Sequence, residues 1–151
     1  MTISAQDEAL KASEKFYAAL NRLMEGDAGP MSDSWSHSAA VTTMHPLGGQ
    51  EFGWPEVRKS FEQVGKLASG GRVTLADRHL QVVGDVAYET GIERGQAKLG
   101  SQQFTIDQRV TNIYSRESGT WKIVHHHTDT SAAMVEFAKN AQARTPVAST
   151  R

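Results

Sequence analysis

The sequence predicts an α+β fold, and two observations carry that expectation. Through residue 67 the apolar side chains recur mostly at helical spacing, whereas from Arg72 to Asp129 long alternating stretches are separated by short turns. Helices first and a run of antiparallel strands after them is the order expected when helices lie on one face of a strongly curved sheet. At 151 residues the chain is long enough for one domain with a substantial core and too short to require two.

Leu10, Phe16, Tyr17, Leu20, Leu23 and Met24 form a helical stripe over residues 4–25. Ser4 and Asp7 resemble a capping box, and Gly26 is a natural stop. A shorter helical piece starts at Pro30 and holds Trp35, and the β-branched run "AVTTM" follows, ending at His45-Pro46. In "GWPEVRKSFEQVGKL" Pro55 suits the first helical position, with Val57, Phe61 and Val64 on one face and "SGG" at 69–71 closing the element. Four strands are then expected: "RVTLADRHLQVV", "VAYETGIERGQAKL", "QFTIDQRVTNIYSR" and "WKIVHHHTD". Ser131 caps a last helix reaching about Ala143, with Met134, Phe137 and Ala141 at helical spacing. One domain is expected over residues 1–144, with a disordered tail at 145–151.

Composition narrows the function. Sixteen basic against seventeen acidic residues leave no electrostatic footprint for nucleic acid or an anionic membrane. The absence of cysteine excludes disulfides and thiol chemistry. The polar start "MTISAQDEALKASEKF" is unlike a signal peptide, and no segment is apolar enough to span a bilayer, so a soluble cytoplasmic protein is expected.

Hairpin register decides which side chains share a face. A two-residue turn at Gly84-Asp85 pairs Val83 with Val86 and collects Asp77, His79, Gln81, Tyr88 and Thr90 on one face. A three-residue turn at Glu117-Ser118-Gly119 pairs Arg116 with Thr120, which groups Gln108, Val110, Asn112, Tyr114, Val124, His126 and Thr128. The reverse face then carries Arg109, Trp121, Ile123, His125, His127 and Asp129, so the histidine triplet splits. On chemistry alone that reverse face reads equally as a pocket mouth, a solvated face or a subunit interface. His125 and His127 at i, i+2 spacing offer two metal ligands with no third specified, and no metal site is expected.

Three motifs, "GWPEVRKSFEQV", "HLQVVGDVAY" and "TNIYSRESGTWKIVHHHTD", resemble the nuclear transport factor 2-like superfamily in its SnoaL-like branch, which includes the association domain of calmodulin-dependent kinase II. The resemblance runs from about Ala9 to Met134. It implies a cone: a curved, mixed sheet wrapped around a pocket and closed by N-terminal helices. The pocket-lining positions of the association domain fall on Val57, Thr90, Asn112 and Thr128, the last three standing where that domain has arginines, so its anion pocket is not expected. The "HHHTD" ending is also similar to the "HHHSS" of metal-free iota-class carbonic anhydrases, which implies that His126 and Thr128 face the pocket and leaves carbonic anhydrase activity as an alternative.

Enzymes of the superfamily, such as ketosteroid isomerase and scytalone dehydratase, use a carboxylate or histidine beside hydroxyl donors in an apolar cone, without metal or organic cofactor. That chemistry implies Asp77, His79 and His126 as the acid/base set. Tyr88, Tyr114 and Thr128 would be donors to a developing oxyanion, and Trp35, His45 and Phe61 would shape the mouth. The expected ligand is a small apolar or mildly polar organic molecule, and the outer sheet face is expected to form a homodimer. A non-catalytic binding or assembly module is the competing expectation.

Overall fold

The structure is a computed structural model that describes residues 2–144; the tail expected at 145–151 lies outside the described residues. Helix α1, Ala5–Met24, begins where the Ser4 hydroxyl accepts from the Asp7 amide at 3.1 Å, and it ends at Gly26. Its buried stripe of Phe16, Leu20 and Leu23 packs into the main core. Helix α2, Gly29–Ser34, has proline in its first turn, and Trp35 lies just past its end in extended backbone. Strands β1, Thr42–Met44, and β2, Glu51–Phe52, precede helix α3, Trp54–Leu67, whose Val57 and Phe61 are buried.

Four long strands follow: β3, Ala68–Val83; β4, Val86–Leu99; β5, Gln102–Glu117; and β6, Thr120–Thr128. Helix α4, Ala132–Arg144, comes last. The sheet runs β2-β1-β6-β5-β4-β3, antiparallel except where β1 lies parallel to β6, and it does not close into a barrel. The expected α+β class with a mixed sheet is therefore what the chain adopts. The short strand β2 and its pairing with β1 were not expected.

Register is where expectation and structure diverge. The first hairpin pairs Val83 with Val86, Gln81 with Tyr88 and His79 with Thr90, as the Gly84-Asp85 turn requires. A bulge then displaces Asp77, and Ala76 rather than Asp77 faces Ile92; Asp77 itself takes a left-handed φ of 53°. The inward phase is also the opposite one: Leu80, Ala87 and Glu89 are buried, while Tyr88 is 47% exposed. The second hairpin closes one residue tighter, pairing Glu117 with Thr120 around Ser118-Gly119. A bulge between the Tyr114–Ile123 and Ile113–His125 pairs then shifts the register by one further residue in the same sense. Trp121 and Ile123 consequently face the core rather than sharing the outer face with His125 and His127, and His126 meets Asn112 instead of Val110.

The "SGG" that was expected to end α3 lies instead inside β3. Gly71 there lets β3 lie close against β4. A Cβ on Gly71 would lie 2.4 Å from the Gln96 carbonyl oxygen, and one on Gly95 would lie 1.8 Å from that of Arg72, so the strands approach there at a distance only glycine permits. Gly95→Ala is expected to destabilise the protein by well over ~1 kcal/mol, a drop of at least about 3 °C in Tm by thermal denaturation. An unchanged Tm would show that the close approach is not needed.

Candidate functional site

Strand alternation on β4 points Glu89 and Glu93 inward, four residues apart, and both are almost wholly buried. A buried carboxylate needs donors or a counter-charge, and the two glutamates receive them very differently. Glu89 accepts from Ser13 at 2.5 Å, Arg78 Nε at 3.0 Å, Asn112 Nδ2 at 3.0 Å and Tyr114 Oη at 2.8 Å. Arg78 reaches it from beside the bulge that displaces Asp77, and its Nη2 also donates to Ser13 at 3.2 Å.

Glu93 accepts from Tyr17 Oη and from Gln108 Nε2, both at 2.9 Å, and among the described residues no cation pairs with it. Burial pushes its pKa up, opposed by those two hydrogen bonds, with the nearby Glu89 charge adding to the rise. Tyr17 is itself held far above an ordinary phenol, by burial first and the Glu93 charge second, so it stays a donor.

Asn112 joins the two carboxylates to the histidine triplet. Its amide nitrogen donates to Glu89 and, at 2.9 Å, to Tyr17 Oη, so its carbonyl oxygen is left to accept from His126 Nδ1 at 2.6 Å. The proton of His126 therefore sits on Nδ1, and Nε2 carries the lone pair. Burial, then the neighbouring histidines, push the His126 pKa down to about 3, so the ring is neutral at physiological pH.

Glu93, Gln108, His126 and His45 line one cavity of about 60 Å³, whose other walls are apolar, including Leu20, Leu23, Phe61, Val64, Leu99 and Ile106. Met134 from α4 lies over it, and Phe137 packs edge-to-face on Phe104 at 5.5 Å. At ~10–15 Å³ per water, that space holds a handful of waters or a small molecule.

The candidates chosen from sequence separate into three groups. His45, Phe61 and His126 line the cavity, while Asn112 and Tyr114 belong to the hydrogen-bond network behind it. Trp35 and Val57 are core residues beside it, Trp35 packing on Trp54 at 6.4 Å and Phe61 at 5.7 Å. Asp77, His79, Tyr88 and Thr90 face outward, a correction to the face assigned from the hairpin. Asp77, His79 and Thr90 line a separate open depression of about 510 Å³ with Arg109, Thr111, His127, Thr128 and Asp129. Thr128 is buried, but its hydroxyl donates to the Asp129 carbonyl.

Sequence reading missed Ser13, Arg78, Glu89, Glu93 and Gln108. Charged residues at alternate positions of β4 look like a solvated face, and only the apolar Ala87, Ala97 and Leu99 in the same phase hinted otherwise.

On the outer face Arg109 makes a bidentate pair with Asp129, both contacts at 2.9 Å, which draws the Asp129 carboxyl down to about 2. His125 Nδ1 is within 2.5 Å of the Thr42 hydroxyl. Among the described residues no group of three or more His, Cys, Asp or Glu side chains is arranged to hold a metal ion.

A SnoaL-like domain matches residues 10–134. The chain belongs to that family. Solved structures similar to it include a candidate dehydratase of the nuclear transport factor 2-like family from Streptomyces avermitilis, at TM-score 0.71 and 23% identity, covering 83% of this chain and 95% of that one. A candidate ketosteroid isomerase from Shewanella frigidimarina aligns at TM-score 0.65 and 22% identity, covering 81% and 94%. A calmodulin-dependent kinase II hub from S. rosetta aligns at TM-score 0.68 and 20% identity, covering 87% and 100%. Such identities establish a shared fold. No curated protein matches significantly. Among the described residues no helix is long and apolar enough to cross a membrane.

Two buried neutral histidines of the SnoaL-like cavity set an acid limit on stability. Burial holds His45 at about 4 and His126 at about 3, against 6.5 for an ordinary histidine. Below that ordinary value the unfolded chain binds protons that the folded rings refuse, so stability falls as pH drops. Each ring accounts for about 2 kcal/mol between pH 7 and pH 5. Glu93, whose folded pKa is raised, works in the opposite sense. Urea unfolding at the two pH values is expected to show a net loss of at least about 1–2 kcal/mol, and equal stability would contradict neutral buried rings.

Proposed function

We propose that the protein is a cofactor-independent small-molecule enzyme working by general acid/base chemistry, of the isomerase or lyase type. The observation that carries this reading is Glu93: a carboxyl on the wall of a mostly apolar cavity, unpaired with any cation among the described residues, and oriented by Tyr17 and Gln108. A carboxyl whose pKa is raised by burial holds a proton closer to neutrality than an exposed one, which suits it to take a proton from carbon and return it. Glu89, neutralised by Arg78 and three further donors, serves as the structural partner. His126 presents Nε2 as an acceptor, so a substrate hydroxyl is the group it would orient. The apolar walls favour a small, mostly apolar ligand carrying a carbonyl or hydroxyl. The similar structures described as a candidate dehydratase and a candidate ketosteroid isomerase support the same class.

Glu93→Gln keeps the hydrogen-bonding shape and removes the acid/base function. In a panel of small enolisable ketones and β-hydroxy carbonyl compounds, turnover by the wild type is expected to fall about 10²–10⁴-fold in this variant with KM little changed. Undiminished turnover in the variant would sink the assignment.

We also propose that two copies pair through the outer sheet face. Val83, Val86 and Tyr88 are 67%, 44% and 47% exposed on one end of the first hairpin, an apolar group of the kind that dimer interfaces cover. Tyr88→Lys is expected to shift sedimentation from dimer to monomer; a wild type already monomeric at micromolar concentration would overturn the pairing.

A further inference from the structure

We propose that His45 and Glu51 form a proton relay between the cavity and solvent. The proposal rests on the acid/base reading of the cavity, because only a site that takes up or releases protons needs one.

Three titratable side chains line the cavity: Glu93, His126 and His45. Glu93 and His126 lead away from it through Tyr17 and Asn112 to Glu89 and end at the half-buried Arg78, whose guanidinium does not release its proton. That route orients groups but passes no proton to water. His45 leads elsewhere. Its ring is only 8% exposed and packs edge-to-face on Phe61 at 5.2 Å. Nε2 lies 2.9 Å from Ser60 Oγ and 3.5 Å from Glu51 Oε2.

Proton placement follows from Ser60. Its hydroxyl donates to the Val57 carbonyl at 2.7 Å, so its oxygen can only accept from the ring, and His45 must carry its proton on Nε2. Nδ1 is then the basic nitrogen. Glu51 sits on the two-residue edge strand β2, where Thr43 Oγ1 donates to its Oε2 at 2.9 Å, and its side chain is 22% exposed. One oxygen of a solvent-bordering carboxylate thus lies 3.5 Å from the protonated nitrogen of a cavity-lining ring, whose hydrogen bond at rest is to Ser60. In the forward step Nδ1 accepts a proton from the cavity, the Nε2 proton passes to Glu51 Oε2, and Glu51 releases it to water; the reverse step reloads the site and restores the tautomer.

The charged and titratable groups around the pair are His126 and Glu93 on the cavity walls and Glu56 at the start of α3, whose charge, after burial, helps raise Glu51. With His45 lowered to about 4 by burial and Glu51 raised above its ordinary value, the ring holds a proton no more tightly than the carboxyl it faces.

The test uses the full chain labelled with ¹⁵N and needs no substrate. Long-range proton–nitrogen NMR is expected to show His45 as the Nε2–H tautomer at neutral pH. Exchange of that proton with water is expected to slow at least about tenfold in Glu51→Gln and to recover in Glu51→Asp. An Nδ1–H tautomer, or an exchange rate unmoved by Glu51→Gln, would overturn the relay. Should Glu51→Gln fail to fold, Thr43→Val, which removes the hydroxyl that positions the carboxylate, is expected to slow exchange in the same sense. The outcome is independent of the assay on Glu93→Gln: a relay present with turnover unaffected by that change would fault the choice of Glu93, not the relay.

Discussion

Burying the Glu89 carboxylate is the constraint on which the rest of this molecule depends. Its four donors come from α1, from the bulged part of β3 and from two positions of β5, so one anion ties the long helix to three adjacent strands. A buried ion pair is costly to assemble and more costly to leave half-made, which makes the geometry of each partner mutually binding. The bulge at Asp77 follows from it: turning Arg78 toward Glu89 breaks the strand alternation, and the neighbouring aspartate is pushed into left-handed backbone on the outer face.

With the arginine and three other donors committed to Glu89, the second carboxyl is left with two neutral partners. Glu93 and Glu89 are the same residue type on the same strand face, four residues apart, yet one is neutralised and the other is not. Dividing two carboxyls into unlike environments is how a single fold separates a structural anion from a group able to exchange protons. Tyr17 and Asn112 span the gap between them, and through Asn112 the same network sets the tautomer of His126.

Much of the fold was legible in the sequence because local signals sufficed for it. The Ser4 cap, the prolines opening α2 and α3, the Gly84-Asp85 turn and the helical stripes each act within a few residues, and each element formed where those signals lay. The site was legible only in part. His126 was placed inward correctly although two features beside it were not anticipated, a tighter turn and a bulge; each moves the register by one residue in the same sense, and a two-residue total changes the partner of His126 but keeps its face. The first hairpin went the other way. The pairing was right, but the face was not, because Glu89 and Glu93 occupy core positions where charge is read as solvent exposure.

By itself, the sequence determined the order of elements, the hairpin that joins β3 to β4, the split of the histidine triplet and the resemblance to the SnoaL-like family. These depend on backbone preferences and on side-chain periodicity, which are local. Only the tertiary structure decided which carboxyls enter the cone, since a charged residue is buried only where distant partners meet it, and Ser13, Arg78, Asn112 and Tyr114 come together with Glu89 only once the helix has docked on the curved sheet.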